Sequence, residues 1–169
     1  MPPDRPSISI VTASFNALGG LRTTVGSVAE QDFDRVEHIV IDGGSSDGTR
    51  EYLESLGDSV RWVSEPDAGI ADALNKGFAL ARGEYVLVLQ AEDTLLEAGS
   101  ISQALPYLAR GADIVAFPIY LEDGSGKRKV ITPRNLNFRS NFRMPMPHQG
   151  VFFSRELFER LGGFDTSFG

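Results

Sequence analysis

Apolar residues along the chain follow two alternating spacings, which predict strands and helices in turn. Short runs rich in β-branched residues have the composition of buried strands. These runs are residues 7–12, 36–41, 60–64, 85–89, 113–117 and 151–153. Between them, apolar residues recur at steps of three and four, so each segment gains one apolar helix face. These faces carry Leu18, Leu21, Val25 and Val28, then Tyr52, Leu53 and Leu56, then Ile70, Leu74, Phe78 and Ala81, and finally Ile101, Leu105 and Leu108.

Strand and helix alternate regularly as far as about residue 116. This alternation is typical of right-handed βαβ units, and it predicts an α/β fold with a mostly parallel sheet flanked by helices. Beyond it, residues 119–122 and 129–132 flank the turn sequence DGSG, which predicts a small β-hairpin near the C-terminus. Residues 133–147 are predicted to be irregular. Ser154 is predicted to cap a helix that runs to Leu161.

Two local predictions concern the ends of the helices. Asn16 is predicted to cap the first helix, because its side chain suits an N-terminal cap. Gly83 follows the helix that contains Phe78, and it is predicted to end that helix in the left-handed conformation that glycine tolerates.

Composition restricts the class of protein. At 169 residues the chain suits one domain with its own core, so residues 1–169 are predicted to form a single domain. The net charge of −7 argues against a nucleic acid partner, because phosphate backbones are bound by basic patches. The chain has no cysteine, which excludes disulfides and thiolate metal sites. No signal peptide and no apolar run of membrane length is seen, so a cytoplasmic location is expected.

Polar residues cluster directly after three of the predicted strands. The clusters are residues 12–16, 42–47 and 90–93. In open α/β sheets, ligands bind beyond the carboxyl ends of the strands, and parallel strands end at the same edge. The three clusters are therefore predicted to share one site.

Glu92 and Asp93 are the sharpest chemical feature of these clusters. Two adjacent carboxylates after an apolar strand suit a hard divalent cation, because Mg²⁺ takes one or two carboxylates together with substrate phosphates and water. The alternative is that Asp93 caps the next helix while Glu92 is solvated. On these residues alone the alternative is favoured, since acidic pairs are common where helices begin.

Asp42 ends a strand and fits two roles equally well. It suits a hydrogen bond to a base or ribose, and it also suits a turn in which it bonds its own backbone. The nearby Gly43, Gly44 and Gly48 lack the spacing of a P-loop or dinucleotide fingerprint, so they indicate phosphate contact only weakly.

Other candidates have an ordinary structural alternative. Asp72 and Lys76 lie four residues apart on the polar face of a helix, where a surface ion pair is the default interpretation. His148 and Gln149 precede the last predicted strand, and His148 fits either contact with a diphosphate or acceptor, or a structural role. His38 lies within a strand and is interpreted as structural.

Taken together, the motifs resemble the family 2 glycosyltransferases of the GT-A fold, a Rossmann-like fold, and notably the bacterial enzymes that build exopolysaccharide and capsule. The segments that carry the resemblance are SISIVTASFN, HIVIDGGSSDGT, SEPDAGIADALNKGFALARGEYVLVL, QAEDTL and PHQGVFFSRELFERLGGFD. They occur in the family's order and cover nearly the whole chain. The implied activity is transfer of a sugar from a nucleoside diphosphate to an acceptor hydroxyl, with inversion and with Mg²⁺ or Mn²⁺.

The resemblance also implies a role for individual residues. Those that would border or bond the nucleotide base are Thr12, Ser14, Phe15 and Asp42. Those that would line the rest of the donor pocket are Asp67, Gly69, Asp72, Asn75, Lys76, Ala91 and Glu92. Asp93 would hold the metal against the diphosphate with the help of Glu92, and His148 and Gln149 would lie near the diphosphate or the acceptor.

The chain departs from the family pattern in two places. Its metal motif has Glu92 before Asp93 where the family commonly has a pair of aspartates. The family's catalytic base lies beyond Gly169, so no catalytic residue is assigned, and Asp165 is left to the GGFD turn. Without the family's C-terminal segment, apolar surface around residues 151–153 and Phe164 is expected to be exposed, and a homodimer is an expected consequence.

The implied partners are a nucleoside-diphosphate sugar, with a UDP-sugar favoured, and a glycan or lipid-linked acceptor at the inner face of the cell membrane. A donor-binding module without transfer activity is the alternative. A nucleotidyltransferase on a similar scaffold ranks last, because the stretch ASFNALGG lacks the basic residues that such enzymes carry after the first strand.

Overall fold

Six strands form one sheet in which the first four strands in space are parallel and one later strand runs against them. The structure is a computed structural model that describes residues 7–133 and 148–167. The strands of this sheet are β1 (Ile8–Ser14), β2 (Val36–Asp42), β3 (Arg61–Ser64), β4 (Tyr85–Val88), β5 (Ile114–Ala116) and β8 (Val151–Ser154). Their spatial order is β3-β2-β1-β4-β8-β5, and β8 is antiparallel to both of its neighbours.

Five helices and a hairpin complete the described part of the chain. The helices are α1 (Leu18–Ala29), α2 (Thr49–Ser55), α3 (Ile70–Leu80), α4 (Ser100–Leu108) and α5 (Arg155–Leu161). The hairpin pairs β6 (Ile119–Glu122) with β7 (Arg128–Ile131) in a separate two-stranded sheet. The α/β fold class and the hairpin are thereby confirmed, while residues 134–147 of the predicted irregular segment lie outside the described residues. None of the helices in the described ranges is long and apolar enough to cross a membrane.

Both faces of the sheet are covered because its strands are apolar on both sides. On one face, Ile10 and Leu87 pack with Ile101 of α4. On the other face, Val11 packs with Phe78 of α3 and with the neighbouring strands. Continuous apolar runs such as YVLVL therefore form central strands, as parallel sheets require.

Several local expectations need correction. Val151 and Phe152 are 1% and 5% exposed, so the expected exposure of residues 151–153 is wrong for these two, which lie inside the sheet. Asn16 does not cap α1; the carboxylate of Asp47 accepts the hydrogen bond from Leu18 N at 2.9 Å instead. Gly83 does not adopt a positive φ. The predicted cap at Ser154 is confirmed, since its hydroxyl accepts from Leu157 N.

His38 is buried in β2, as its structural interpretation requires. Its Nε2 lies 2.9 Å from Thr12 Oγ1, and its Nδ1 has no hydrogen-bond partner among the described residues. A second ring proton would therefore be buried without an acceptor. Burial lowers the pKa of His38 from 6.5 to about 4, because the charged imidazolium would lose its hydration.

Because the pKa of buried His38 is lowered, we expect the protein to lose stability in mild acid. Between its unfolded and folded pKa values, His38 binds a proton only in the unfolded chain, so lowering the pH favours unfolding. When the pH falls from 7 to 5, we expect His38 to lower the free energy of unfolding by about 2 kcal/mol. Urea unfolding at the two pH values measures this loss, and a His38→Gln variant should lose less by that amount. Equal losses in both proteins would contradict the prediction.

Candidate functional site

A cleft of about 470 Å³ opens where β1 and β4 end at the carboxyl edge of the sheet. This volume lies within the range of small-molecule sites. The residues that line it are Ala13, Ser14, Phe15, Ala17, Asp67, Gly69, Ile70, Ala73, Gln90, Ala91 and Glu92. The first and third predicted polar clusters therefore meet in one cleft, as the sheet topology requires.

Ser14 and Phe15 give one wall of the cleft an aromatic and a hydroxyl group. The Phe15 side chain is 65% exposed, which is unusual for a phenylalanine and leaves the ring available to a ligand. The hydroxyl of Ser14 is buried and has no hydrogen-bond partner among the described residues. A Cβ at Gly43 would lie 3.2 Å from the Phe15 ring and 2.8 Å from Asp67 Oδ2, so the glycine leaves room for both side chains.

The loop before α3 forms the facing wall and is braced from behind. Asp67 lines the cleft, and its Oδ1 accepts a hydrogen bond from Gly69 N at 2.9 Å. Asp72 accepts from Ala68 N at 3.1 Å, and this bond is the main cause of its lowered pKa, followed by its contact with Lys76.

Lys76 ties the same loop to α3 through one hydrogen bond and two ion pairs. Its Nζ lies 2.8 Å from Glu65, 3.3 Å from Asp72 and 3.3 Å from the carbonyl oxygen of Pro66. These partners raise the pKa of Lys76, Glu65 most of all. The expected ion pair with Asp72 is present. Asp72 and Lys76 thus stand behind the cleft wall and do not line it.

Three other predicted donor residues also lie outside the lining, and two of them are held within the core. Thr12 is fully buried and bonded to His38. Asp42 is fully buried; its carboxylate accepts from Ser45 N at 3.0 Å, from Ser64 Oγ at 2.6 Å and from the hydroxyl of Ser45. Direct contact between Asp42 and a base would require one of these serines to give way.

Asn75, the third of these residues, is engaged with the far end of the chain. Its side-chain amide donates to Phe164 O at 3.0 Å and its Oδ1 accepts from Phe164 N at 2.8 Å. The ring of Phe164 packs edge-on against Phe78, with centroids 5.4 Å apart. Asn75 therefore holds the GGFD turn against α3.

The acidic loop, residues 90–93, follows β4 at the other side of the cleft. Glu92 is exposed and adopts φ 88°, a left-handed conformation that is rare outside glycine. Asp93 is half-buried, and its Oδ2 accepts from Gln90 N at 3.0 Å. The next helix begins only at Ser100, so the interpretation of Asp93 as a helix cap is wrong.

His148 and Gln149 join this loop from a distant part of the sequence. Nε2 of His148 lies 3.0 Å from Nε2 of Gln90, and the Gln149 side chain lies close enough to the Asp93 carboxylate to lower its pKa. Desolvation raises the pKa of Asp93, while the bond from Gln90 N, the charge of His148 and the bond from Gln149 act in the opposite direction. The structure thus places together the predicted metal residue and the predicted diphosphate residues.

The carboxylates of the acidic loop suit a hard cation whose remaining ligands come from the substrate and water. Within residues 7–133 and 148–167, no group of three or more Asp, Glu, His or Cys residues converges as a metal site. Glu92 and Asp93 offer only carboxylate oxygen atoms, which Mg²⁺ and Mn²⁺ accept. A cation held there would take its other ligands from phosphates and water, as Mg²⁺ commonly does.

Sequence patterns missed two residues that shape the acidic loop. Thr24 of α1 is fully buried and bonds the backbone of Gln90 and Glu92. Gly20 leaves the space that Glu92 occupies, because a Cβ there would lie 2.2 Å from Glu92 Cγ and 2.9 Å from its backbone nitrogen. The only signal in the sequence is a threonine on the apolar face of a helix, beside Leu21 and Val25.

Comparison with known proteins identifies the class of this protein. The family described as glycosyl transferase family 2 matches residues 9–162, so the chain belongs to that family. It is 36% identical over 169 residues to an uncharacterized glycosyltransferase of Mycobacterium tuberculosis, covering 97% of this chain and 64% of the relative. It is 26% identical over 178 residues to a PGL/p-HBAD biosynthesis glycosyltransferase of Mycobacterium bovis, covering 96% of this chain and 65% of the relative.

A solved structure shares the fold over nearly the whole chain. It is the mannosyltransferase PcManGT from Pyrobaculum calidifontis, in complex with GDP-Man and Mn²⁺, with a TM-score of 0.72 and 26% identity. The match covers 98% of this chain and 49% of the mannosyltransferase. The predicted GT-A fold is confirmed. The chain spans about two thirds of the length of the curated relatives and half of that enzyme.

Proposed function

We propose that the cleft binds a nucleoside-diphosphate sugar and that the protein of which it is part transfers the sugar to an acceptor hydroxyl, with inversion, in glycan biosynthesis. One observation carries the proposal: the cleft that Ser14 and Phe15 line is continuous with the acidic loop. The exposed ring of Phe15 and the carboxylate of Glu92 both line this cleft, and Asp93 follows directly in the loop; such a set suits a ligand with a base and a metal-bound diphosphate. Family membership and the related mannosyltransferase with GDP-Man and Mn²⁺ support it.

The base end of the donor is assigned to the Phe15 wall. An exposed aromatic ring offers a stacking surface to any base. The hydroxyl of Ser14 is buried and has no partner among the described residues, so it would reach a base only if the Ser14 side chain turned into the cleft. Asp67 lies across the cleft and can accept from a ribose hydroxyl or a base N–H. Asp42, Asp72, Asn75 and Lys76 then support the site through their contacts with its walls.

The diphosphate end is assigned to the acidic loop. Asp93, with Glu92, would hold Mg²⁺ or Mn²⁺, whose positive charge offsets the charge that develops on the departing nucleoside diphosphate. Gln149, whose side chain lies beside the Asp93 carboxylate, would help to orient it. His148, whose Nε2 accepts from the side-chain amide of Gln90, would donate to a phosphate oxygen or to the acceptor through its other ring nitrogen.

The alternative is a module that binds the donor without transferring the sugar. Both hypotheses require the same donor cleft, and they differ in whether a base deprotonates the acceptor hydroxyl. We assign no base among the described residues. Release of UDP or GDP from a nucleotide sugar in the presence of acceptor would favour the transferase; donor binding without release would favour the module.

Calorimetry with UDP and GDP tests the donor site directly. We expect binding in Mn²⁺ that is lost when EDTA removes the metal, because the diphosphate and the acidic loop share the cation. A UDP-sugar is our favoured donor, and the related mannosyltransferase carries GDP-Man, so both nucleotides are titrated. If neither binds in a metal-dependent manner, the proposed function is wrong.

A further inference from the structure

One face of α1 carries a row of polar side chains that bond the irregular connection between β4 and α4. We name this row the α1 ladder; it consists of Thr24, Ser27 and Gln31. Thr24 and Ser27, three residues apart, lie along one side of α1, and Gln31 continues the row two residues after the helix ends at Ala29. All three bond backbone groups of residues 90–101, which include the acidic loop.

Thr24 makes the contacts at the acidic loop itself. Its Oγ1 accepts from Glu92 N at 3.1 Å and lies 3.2 Å from Gln90 O, to which it donates. Its hydroxyl also reaches Gly20 O at 3.1 Å within α1. Since Thr24 is fully buried, these bonds are shielded from water.

Ser27 and Gln31 continue the row toward α4. Ser27 Oγ accepts from Leu95 N at 3.2 Å and donates to Thr24 O at 2.8 Å. The side chain of Gln31 donates to Glu97 O at 2.9 Å and accepts from Ile101 N at 3.1 Å. Together the three side chains bond backbone N–H and C=O groups of this connection that are not bonded within a helix or a sheet.

The conformation of Glu92 shows why such bonds matter here. A non-glycine residue with φ 88° is strained, and strain persists only where the surroundings over-determine it. Thr24 accepts a hydrogen bond from the amide of Glu92. Because Gly20 has no side chain, there is space beside it for Glu92. Without the hydroxyl of Thr24, the loop would be free to relax away from this conformation.

We propose that the α1 ladder, and Thr24 above all, is a positioning device that sets the acidic loop for its divalent cation. The inference rests on the proposed function of that loop. Thr24 touches neither metal nor nucleotide in this assignment and acts through the backbone of Gln90 and Glu92. If the ladder served stability alone, its removal would lower the unfolding midpoint without changing metal-dependent binding.

The test compares Thr24→Val, which removes the hydroxyl at nearly constant volume, with Thr24→Ser, which keeps it. Thr23→Val is the matched control, since Thr23 is exposed and bonds only Gly19 O within α1. We expect Thr24→Val to weaken Mn²⁺-dependent UDP or GDP binding about tenfold, the lower end for partners that orient metal ligands. No variant should bind nucleotide in EDTA, and in Mn²⁺ Thr24→Ser and Thr23→Val should bind like the parent protein.

Unchanged metal-dependent binding by a folded Thr24→Val protein overturns the inference and leaves the proposed function intact. Amide hydrogen exchange supplies a readout that needs no ligand: the Glu92 amide should be protected in the parent protein and lose protection in Thr24→Val. An unprotected Glu92 amide in the parent overturns the inference as well. If Thr24→Val does not fold, Ser27→Ala replaces it, with a loss of Mn²⁺-dependent binding smaller than about tenfold expected, since Ser27 bonds Leu95 N beyond the acidic loop. No loss there overturns the inference.

Discussion

Replacing Asp93 by asparagine is expected to weaken Mn²⁺-dependent nucleotide binding by at least about 100-fold, because the ligand itself is lost and orienting partners alone account for 10–100-fold. Asparagine keeps the size of the side chain, and its Oδ1 can still accept from Gln90 N, so the acidic loop should keep its conformation. The loss is therefore chemical: a neutral amide replaces a charged carboxylate. Titration of UDP or GDP in Mn²⁺ and in EDTA measures it.

Two variants show whether the effect belongs to Asp93. Asp123→Asn removes a carboxylate at the exposed tip of the β6–β7 hairpin and should bind like the parent protein. Glu92→Gln should have a smaller effect than Asp93→Asn, because Glu92 is exposed and a longer side chain can act through water. Nucleotide binding that stays metal-dependent and equally tight in Asp93→Asn would remove this residue from the metal site.

Gly83→Ala is expected to destabilise the protein strongly, because the added methyl group would collide with the backbone of a central strand. A Cβ at Gly83 would lie 2.5 Å from Ser9 N and 2.8 Å from the carbonyl carbon of Ile8. Both are backbone atoms of β1, which cannot rotate away. We expect a loss of about 3 kcal/mol, at the upper end of overpacking, and a fall in Tm of about 6–12 °C.

Gly26→Ala provides a control with the opposite sign. Gly26 lies within α1, and a Cβ there would meet no atom within 4 Å. Alanine favours the helix over glycine by roughly 0.5–1 kcal/mol, so Tm should rise slightly. Thermal unfolding followed by circular dichroism compares the two variants with the parent protein. A Gly83→Ala protein as stable as Gly26→Ala would show that β1 moves freely, against the packing described.

The strands and helices could be predicted from the sequence because buried apolar residues recur at regular spacings within them. The run YVLVL predicts β4, and the spacing of Ile70, Leu74 and Phe78 predicts α3, within a residue or two of the observed ends. The direction of β8 could not be predicted, since an apolar run of three residues is the same for a parallel and an antiparallel strand. Gly83 is predicted to end α3 in the left-handed conformation, whereas in the structure it lets its own backbone approach that of β1.

The site could be predicted only where its residues are close together in the sequence. Each polar cluster lies directly after its own strand, and the rule that parallel strands end at one edge places the first and third clusters in the cleft. The contacts of Thr24 with Gln90 and Glu92 join residues 66 and 68 positions apart, and those of Asn75 with Phe164 join residues 89 apart. No local pattern records such pairs, so the sequence places Asn75 in the donor pocket while the structure places it against Phe164.

The position of β8 also bears on how the polypeptide folds as it leaves the ribosome. Among the strands of residues 7–133 and 148–167, β5 pairs with β8 alone, and β8 separates it from β4. Until residues 151–154 emerge, the nascent chain holds β4 with one unpaired edge and β5 without any partner. Unpaired edges of this kind invite pairing with other chains, so the interval before β8 emerges is the stage at which this sheet most needs protection by chaperones.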